Sequence, residues 1–164
     1  MNIWFFIILL IAMAMVIGPI SMLRPSPAQK RKEKLRLYAS EHGLRFSMRR
    51  LPKLNTDIEE PAPAPVYYLP SQSKISAVSE WMLIRTGYVH DGNFHQEWDW
   101  QGSVRPADSI CSILKEYLPK LPASVSAVSE GNLGVCVFWS EKEGEETLDL
   151  LISMLNALRQ AGDH

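Results

Sequence analysis

Residues 80–101 read EWMLIRTGYVHDGNFHQEWDWQ, two β-rich arms, 80–89 and 94–101, flanking Asp91-Gly92-Asn93. The centre offers both an Asp-Gly and a Gly-Asn dipeptide, which tolerate the backbone of a tight hairpin turn. Either two-residue loop gives the same facing. Trp81, Leu83, Arg85, Gly87 and Val89 share a side with Phe94, Gln96, Trp98 and Trp100. Met82, Ile84, Thr86 and Tyr88 share the other with His95, Glu97, Asp99 and Gln101. The first side is rich in aromatics and is expected to face the core. There Arg85 meets Trp98 or Trp100, where a guanidinium can stack while its stem packs.

A second hairpin is expected at 124–130 and 133–139 around Gly131-Asn132. Val135, Val137 and Trp139 point one way, Cys136 and Phe138 the other. Apolar residues on both sides mark a central strand. Leu44–Arg49 alternates and reads as a strand, and Val66–Leu69 as a short one. Between them, 51–65 ends in Pro61-Ala62-Pro63-Ala64-Pro65 and reads as a loop or stiff spacer.

Helices fill the intervals. Residues 28–42 place Leu35, Tyr38, Ala39 and His42 on one face, and Gly43 suits the position after the helix. From Pro106, Ile110, Ile113, Leu114, Tyr117 and Leu118 form an amphipathic stripe that Pro119 and Pro122 end. Residues 144–160 carry Leu148, Leu151, Ile152, Leu155 and Leu158, with Glu145, Glu146 and Asp149 early, where carboxylates complement the helix dipole. Hairpins force antiparallel pairing, so the expected class is α+β: a mainly antiparallel sheet with helices packed on it.

The N-terminus is different. Ile3 to Leu23 reads IWFFIILLIAMAMVIGPISML without a charge. Read as a helix, this run predicts a single membrane span, with Trp4 at a headgroup level. The run is too long, and its start too poor in basic residues, for a signal peptide. Arg24, Lys30, Arg31, Lys32, Lys34 and Arg36 all follow it. By the positive-inside rule they place the rest of the chain in the cytoplasm and the N-terminus in the periplasm of a bacterial inner membrane. The expected organisation is an anchor at 1–24 (from Ile3 and Trp4 to Leu23 and Arg24), a basic juxtamembrane helix at 25–43, and a cytosolic α+β domain at 44–164. The lipid bilayer is then one partner, and the basic cluster is orientation-setting or lipid-binding. Nucleic acid is not expected, because the net charge is −1 and no aromatic interrupts the cluster before Tyr38.

Cys111 and Cys136 have no metal-like spacing and read as reduced, buried thiols. The most polar constellation is His90, Asp91, His95, Glu97 and Asp99 at the first hairpin. A metal bound by His90, His95, Glu97 and Asp99 competes there with a plain solvated face. Phosphate-loop, nucleophile-elbow, dinucleotide and zinc-helix motifs are absent, so no cofactor and no enzymatic role are expected. Arg85, Trp98 and Trp100 would form an interaction patch if the tryptophans were exposed together.

Leu23-Arg24-Pro25 and Gln29-Lys30-Arg31, separated by Ser26-Pro27-Ala28, resemble the Leu-Arg-Pro-Gln-Gln-Lys-Arg run of the YajC-type accessory subunit of the bacterial preprotein translocase. The run is two residues longer here. The resemblance stops at this junction, and implies one N-terminal helix with a cytoplasmic remainder and a Sec-associated role. The leading expectation is a non-enzymatic interaction domain serving as accessory or scaffold subunit of a membrane complex. A translocase accessory subunit and a membrane-tethered metal-dependent hydrolase are the alternatives.

Overall fold

The computed structural model describes residues 3–22, 26–53, 59–71, 80–89 and 91–162. The chain divides into two compact units, Met1–Lys34 and Leu35–His164. In the first, helix α1 (Ile3–Met22) exposes every side chain from 3 to 18. The expected transmembrane anchor is corrected here: among the described residues no helix is long and apolar enough to cross a membrane. Leu23 and Arg24 lie outside the described residues.

Helix α2 (Pro27–Glu41) starts one residue before the expected point, for a local reason. Ser26 and Gln29 form a capping box: the Ser26 N–H donates to Gln29 Oε1 at 2.8 Å, and the Gln29 N–H to Ser26 Oγ at 3.2 Å. Pro27 then takes the first helical position, where a missing N–H costs nothing. At the other end, the Leu44 N–H donates to the Ala39 carbonyl and the Gly43 N–H to that of Ser40. This is a Schellman closure, with Gly43 at φ +82° and buried Leu44 beside buried Ala39. Leu35 and Ala39 enter the core, while His42 stays exposed.

Among the described residues six strands form one antiparallel sheet: β1 (Arg45–Arg49), β2 (Ala64–Leu69), β3 (Trp81–Arg85), β4 (Trp98–Gln101), β5 (Val125–Gly131) and β6 (Gly134–Trp139). Their order is β1-β2-β6-β5-β3-β4. The sheet is thus three strand pairs side by side, and the last pair in the chain is inserted between the first two. The end of the proline-rich segment belongs to β2, where Pro65 sits opposite Met48. The β2–β6 ladder begins at Val66, so Pro65 lies beyond it and withholds no N–H from β6.

The two hairpins pair as their alternation requires, but both connections differ from expectation. The first ladder ends at Arg85↔Trp98 instead of running to the Asp91-Gly92-Asn93 turn. The Thr86 hydroxyl lies 2.8 Å from the carbonyl oxygens of both Tyr88 and Glu97, and Asn93 Nδ2 donates to those of Tyr88 and Gln96. These side-chain bonds hold 86–89 and 91–97 away from the ladder. Tyr88 and Val89 are exposed, and the chain turns tightly at Gln96 (φ +50°). In the second hairpin the turn falls at Asn132-Leu133, one residue later than expected, between Gly131 and Gly134. The left-handed conformation is taken by Gly134 (φ +98°), so an ordinary turn followed by glycine replaces a glycine-centred turn.

One face of the sheet carries α3 (Asp108–Tyr117), its short 3-10 continuation Leu118–Lys120, and α4 (Glu145–Gly162). Tyr67, Leu83, Trp98, Val128, Val137 and Trp139 meet Leu114, Leu148, Leu151, Met154 and Leu155 there, all buried. Each such apolar side chain contributes about 1.5–3 kcal/mol on burial. Ile152, expected in the α4 stripe, is half-buried, and Met154 takes the fully buried position. The opposite face holds a smaller cluster, Val66, Ile84, Ala127, Cys136 and Phe138, to which no described helix contributes.

Candidate functional site

The most unusual polar group is Glu141, wholly buried just after β6, with φ +58°. A non-glycine residue held there costs about 1 kcal/mol or more, so its surroundings must compensate. Arg36 supplies two bonds: Nε donates to Oε1 at 2.7 Å and Nη2 to Oε2 at 2.9 Å. The Tyr67 hydroxyl donates to Oε1 at 2.8 Å. The Arg36 guanidinium stacks 4.0 Å from the centre of the Phe46 ring, and Tyr67 packs against both Phe46 and Trp139. Burial first, then the hydrogen bond to Glu141, pushes the Tyr67 hydroxyl well above its usual range, so it remains a donor. The same carboxylate, through its hydrogen bond, raises Arg36. The triad ties α2, β2 and the end of β6 together. It is a closed structural unit, and Arg36 serves the fold.

The remaining residues singled out by sequence fall as follows. Ile3 and Trp4 are exposed on α1. Lys30, Arg31, Lys32 and Lys34 lie on α2, with Lys32 half-buried. The expected patch of Arg85, Trp98 and Trp100 is turned inward. Trp98 is 1% exposed, and Trp100 packs against Trp81 and Phe94. Arg85 lies 4.6 Å over the Trp98 ring, donates to the carbonyls of Leu121 and Pro122, and pairs with Glu97 at 3.1 Å. It staples β3 to the segment that follows α3.

Three of the four candidate metal ligands, His95, Glu97 and Asp99, lie among the described residues. His90 lies outside the described residues. Glu97 is engaged by Arg85, and Asp99 Oδ1 accepts the Trp100 N–H at 2.8 Å. Among the described residues, no three His, Cys, Asp or Glu side chains are placed to hold a metal; the expected set of His90, His95, Glu97 and Asp99 includes one residue outside them. Adjacent positions on one strand face are about 7 Å apart, and each carboxylate has a nearer partner.

The structure does form a cleft of about 410 Å³ on the face opposite α3 and α4. Its floor follows one row across four strands, Cys136, Ser129, Met82 and Gln101, which are cross-strand neighbours. Arg49 and Glu80 stand among its lining residues. Burial pushes the Cys136 thiol up to about 11 and also raises Cys111. Neither is a thiolate nucleophile near neutrality. With Ellman's reagent at pH 8, the half-buried Cys111 is expected to react slowly and Cys136 only after denaturation. Two fast-reacting thiols in the native protein would contradict this placement.

Neither the Glu141 triad nor the cleft was legible in the sequence. The buried carboxylate of Glu141 depends on an arginine 105 residues away. Comparison with known protein families, with curated proteins and with solved structures finds no match for this chain.

Proposed function

We propose that the protein is a non-enzymatic accessory or scaffold subunit that acts by holding a partner protein. The observation that carries this reading is α1. Its side chains from Ile3 to Gly18 are exposed on every face, with Trp4 and Leu10 each at 71%. A contiguous apolar surface of this extent marks an interaction site. The polar groups of the second unit support the same reading. Arg36, Glu141, Tyr67, Arg85 and Glu97 bind one another and do not converge on an open pocket.

The test is purification of the full chain from its native source in mild detergent. A partner at stoichiometric yield is expected, and the double variant Ile8→Lys/Ile11→Lys is expected to lose it while keeping the melting transition of the Leu35–His164 unit. Recovery of preprotein-translocase components would specify the partner. A wild-type chain that stays monomeric without detergent and brings down no protein would overturn the reading.

A further inference from the structure

Among the described residues strand β1 is an edge: it pairs with β2 on one side and no described strand lies on the other. Edge strands expose unpaired N–H and C=O groups that can template a further strand. Arg45 and Arg49 lie on the same face of β1, that of Tyr68 and Cys136, and both are exposed. At about 3.3 Å per residue they stand roughly 13 Å apart. Neither has an ion-pair partner among the described residues. The next residue, Arg50, already has one: Glu60 of the same chain approaches to 2.8 Å. On the opposite face of β1, Met48 is 51% exposed, and it offers apolar contact to an alternating neighbour. A seventh strand with carboxylates four residues apart on one face and apolar residues on the other would satisfy all of these groups at once.

We propose that the outer edge of β1 accepts an extended acidic segment of a partner protein by strand addition, with Arg45 and Arg49 reading its carboxylates. Main-chain bonds to β1 supply the affinity, and the arginine spacing supplies register and charge selection. The proposal uses no residue of α1.

The probe is a labelled peptide, Thr-Val-Glu-Val-Thr-Val-Glu-Val-Thr, added to the full chain in mild detergent. Fluorescence anisotropy is expected to show saturable binding, with hydrogen-exchange protection confined to 45–49. Arg45→Glu/Arg49→Glu is expected to weaken binding roughly tenfold or more and to leave the melting temperature unchanged, because exposed charges contribute little to stability. The same peptide with proline at its central threonine is expected not to bind, since it cannot continue the ladder. Absence of binding to the wild type, equal binding of the proline peptide, or protection at β4 instead of β1 would each overturn the proposal. The double variant leaves α1 intact, so loss of peptide binding and loss of the α1 partner are separate results.

Discussion

Gly134→Ala is expected to be the most damaging single-methyl change in the chain. A Cβ at that position would stand 2.1 Å from the Leu69 carbonyl oxygen and 2.6 Å from the Ser71 nitrogen. Both are backbone atoms at the end of β2, so no side-chain rotation relieves the clash. The φ of +98° adds strain for any residue with a side chain. Relief requires β2 to separate from β6, and that pairing joins the β1–β2 pair to the rest of the sheet. A loss above about 4 kcal/mol is expected, in the range where a small domain often fails to accumulate. Gly43→Ala is the matched control. It also has positive φ, but no atom lies within 4 Å of its added Cβ. Its expected cost is only about 1 kcal/mol. Urea unfolding of the two variants separates steric exclusion from backbone preference. Similar midpoints for both would show that the close approach of β2 and β6 is relaxed in solution.

Arg36→Ala is expected to cost about 3 kcal/mol at neutral pH, the lower end of the range for orphaning a buried charge. The lower end applies because the Arg36 side chain is 35% exposed, so water screens part of the pair, whereas Glu141 is at 0%. The loss corresponds to a drop of roughly 1–3 M in the urea midpoint. Its pH dependence identifies the cause. With Arg36 gone, the buried carboxylate is stabilised by taking up a proton, so the folded variant binds more protons than its unfolded chain. Its stability therefore rises as pH falls, and the gap to wild type narrows on going from pH 7 to pH 5. Arg36→Ala/Glu141→Gln removes the orphaned charge and is expected to recover part of the loss at pH 7. A gap independent of pH, with no recovery in the double variant, would assign the effect to lost packing of the guanidinium on Phe46.

Local chemistry was readable where two neighbouring residues decide the outcome. Gly43 closes α2 as its position suggests. The alternation of 81–85 and 98–101 sets Leu83 opposite Trp100 and Arg85 opposite Trp98. Both apolar sides of 135–139 find cover, as a central strand requires. The connections were less legible. Asn93, Thr86 and Gln96 reshape the first hairpin through side-chain bonds that compete with the ladder, and Gly134 rather than Gly131 takes the left-handed position. The order of the sheet was not legible at all, because alternation shows that a strand has two faces and says nothing of its neighbours. Composition misled at the N-terminus, where an apolar run was read as a membrane span. Glu141 could not be singled out from its neighbours, because Arg36 and Tyr67, which make its burial tolerable, are distant in sequence.

The sheet's order also constrains how the chain matures. The β1–β2 and β3–β4 pairs are made from the first part of the chain, yet neither touches the other; β5 and β6 lie between them. While a ribosome is still synthesising residues before 125, the two pairs lack the hairpin that joins them, and a two-stranded ribbon is marginal by itself. Continuity across the molecule arrives only with the last-made hairpin, which acts as a keystone. A premature stop before Val125 therefore leaves two unjoined halves with open edges, a substrate for proteolysis.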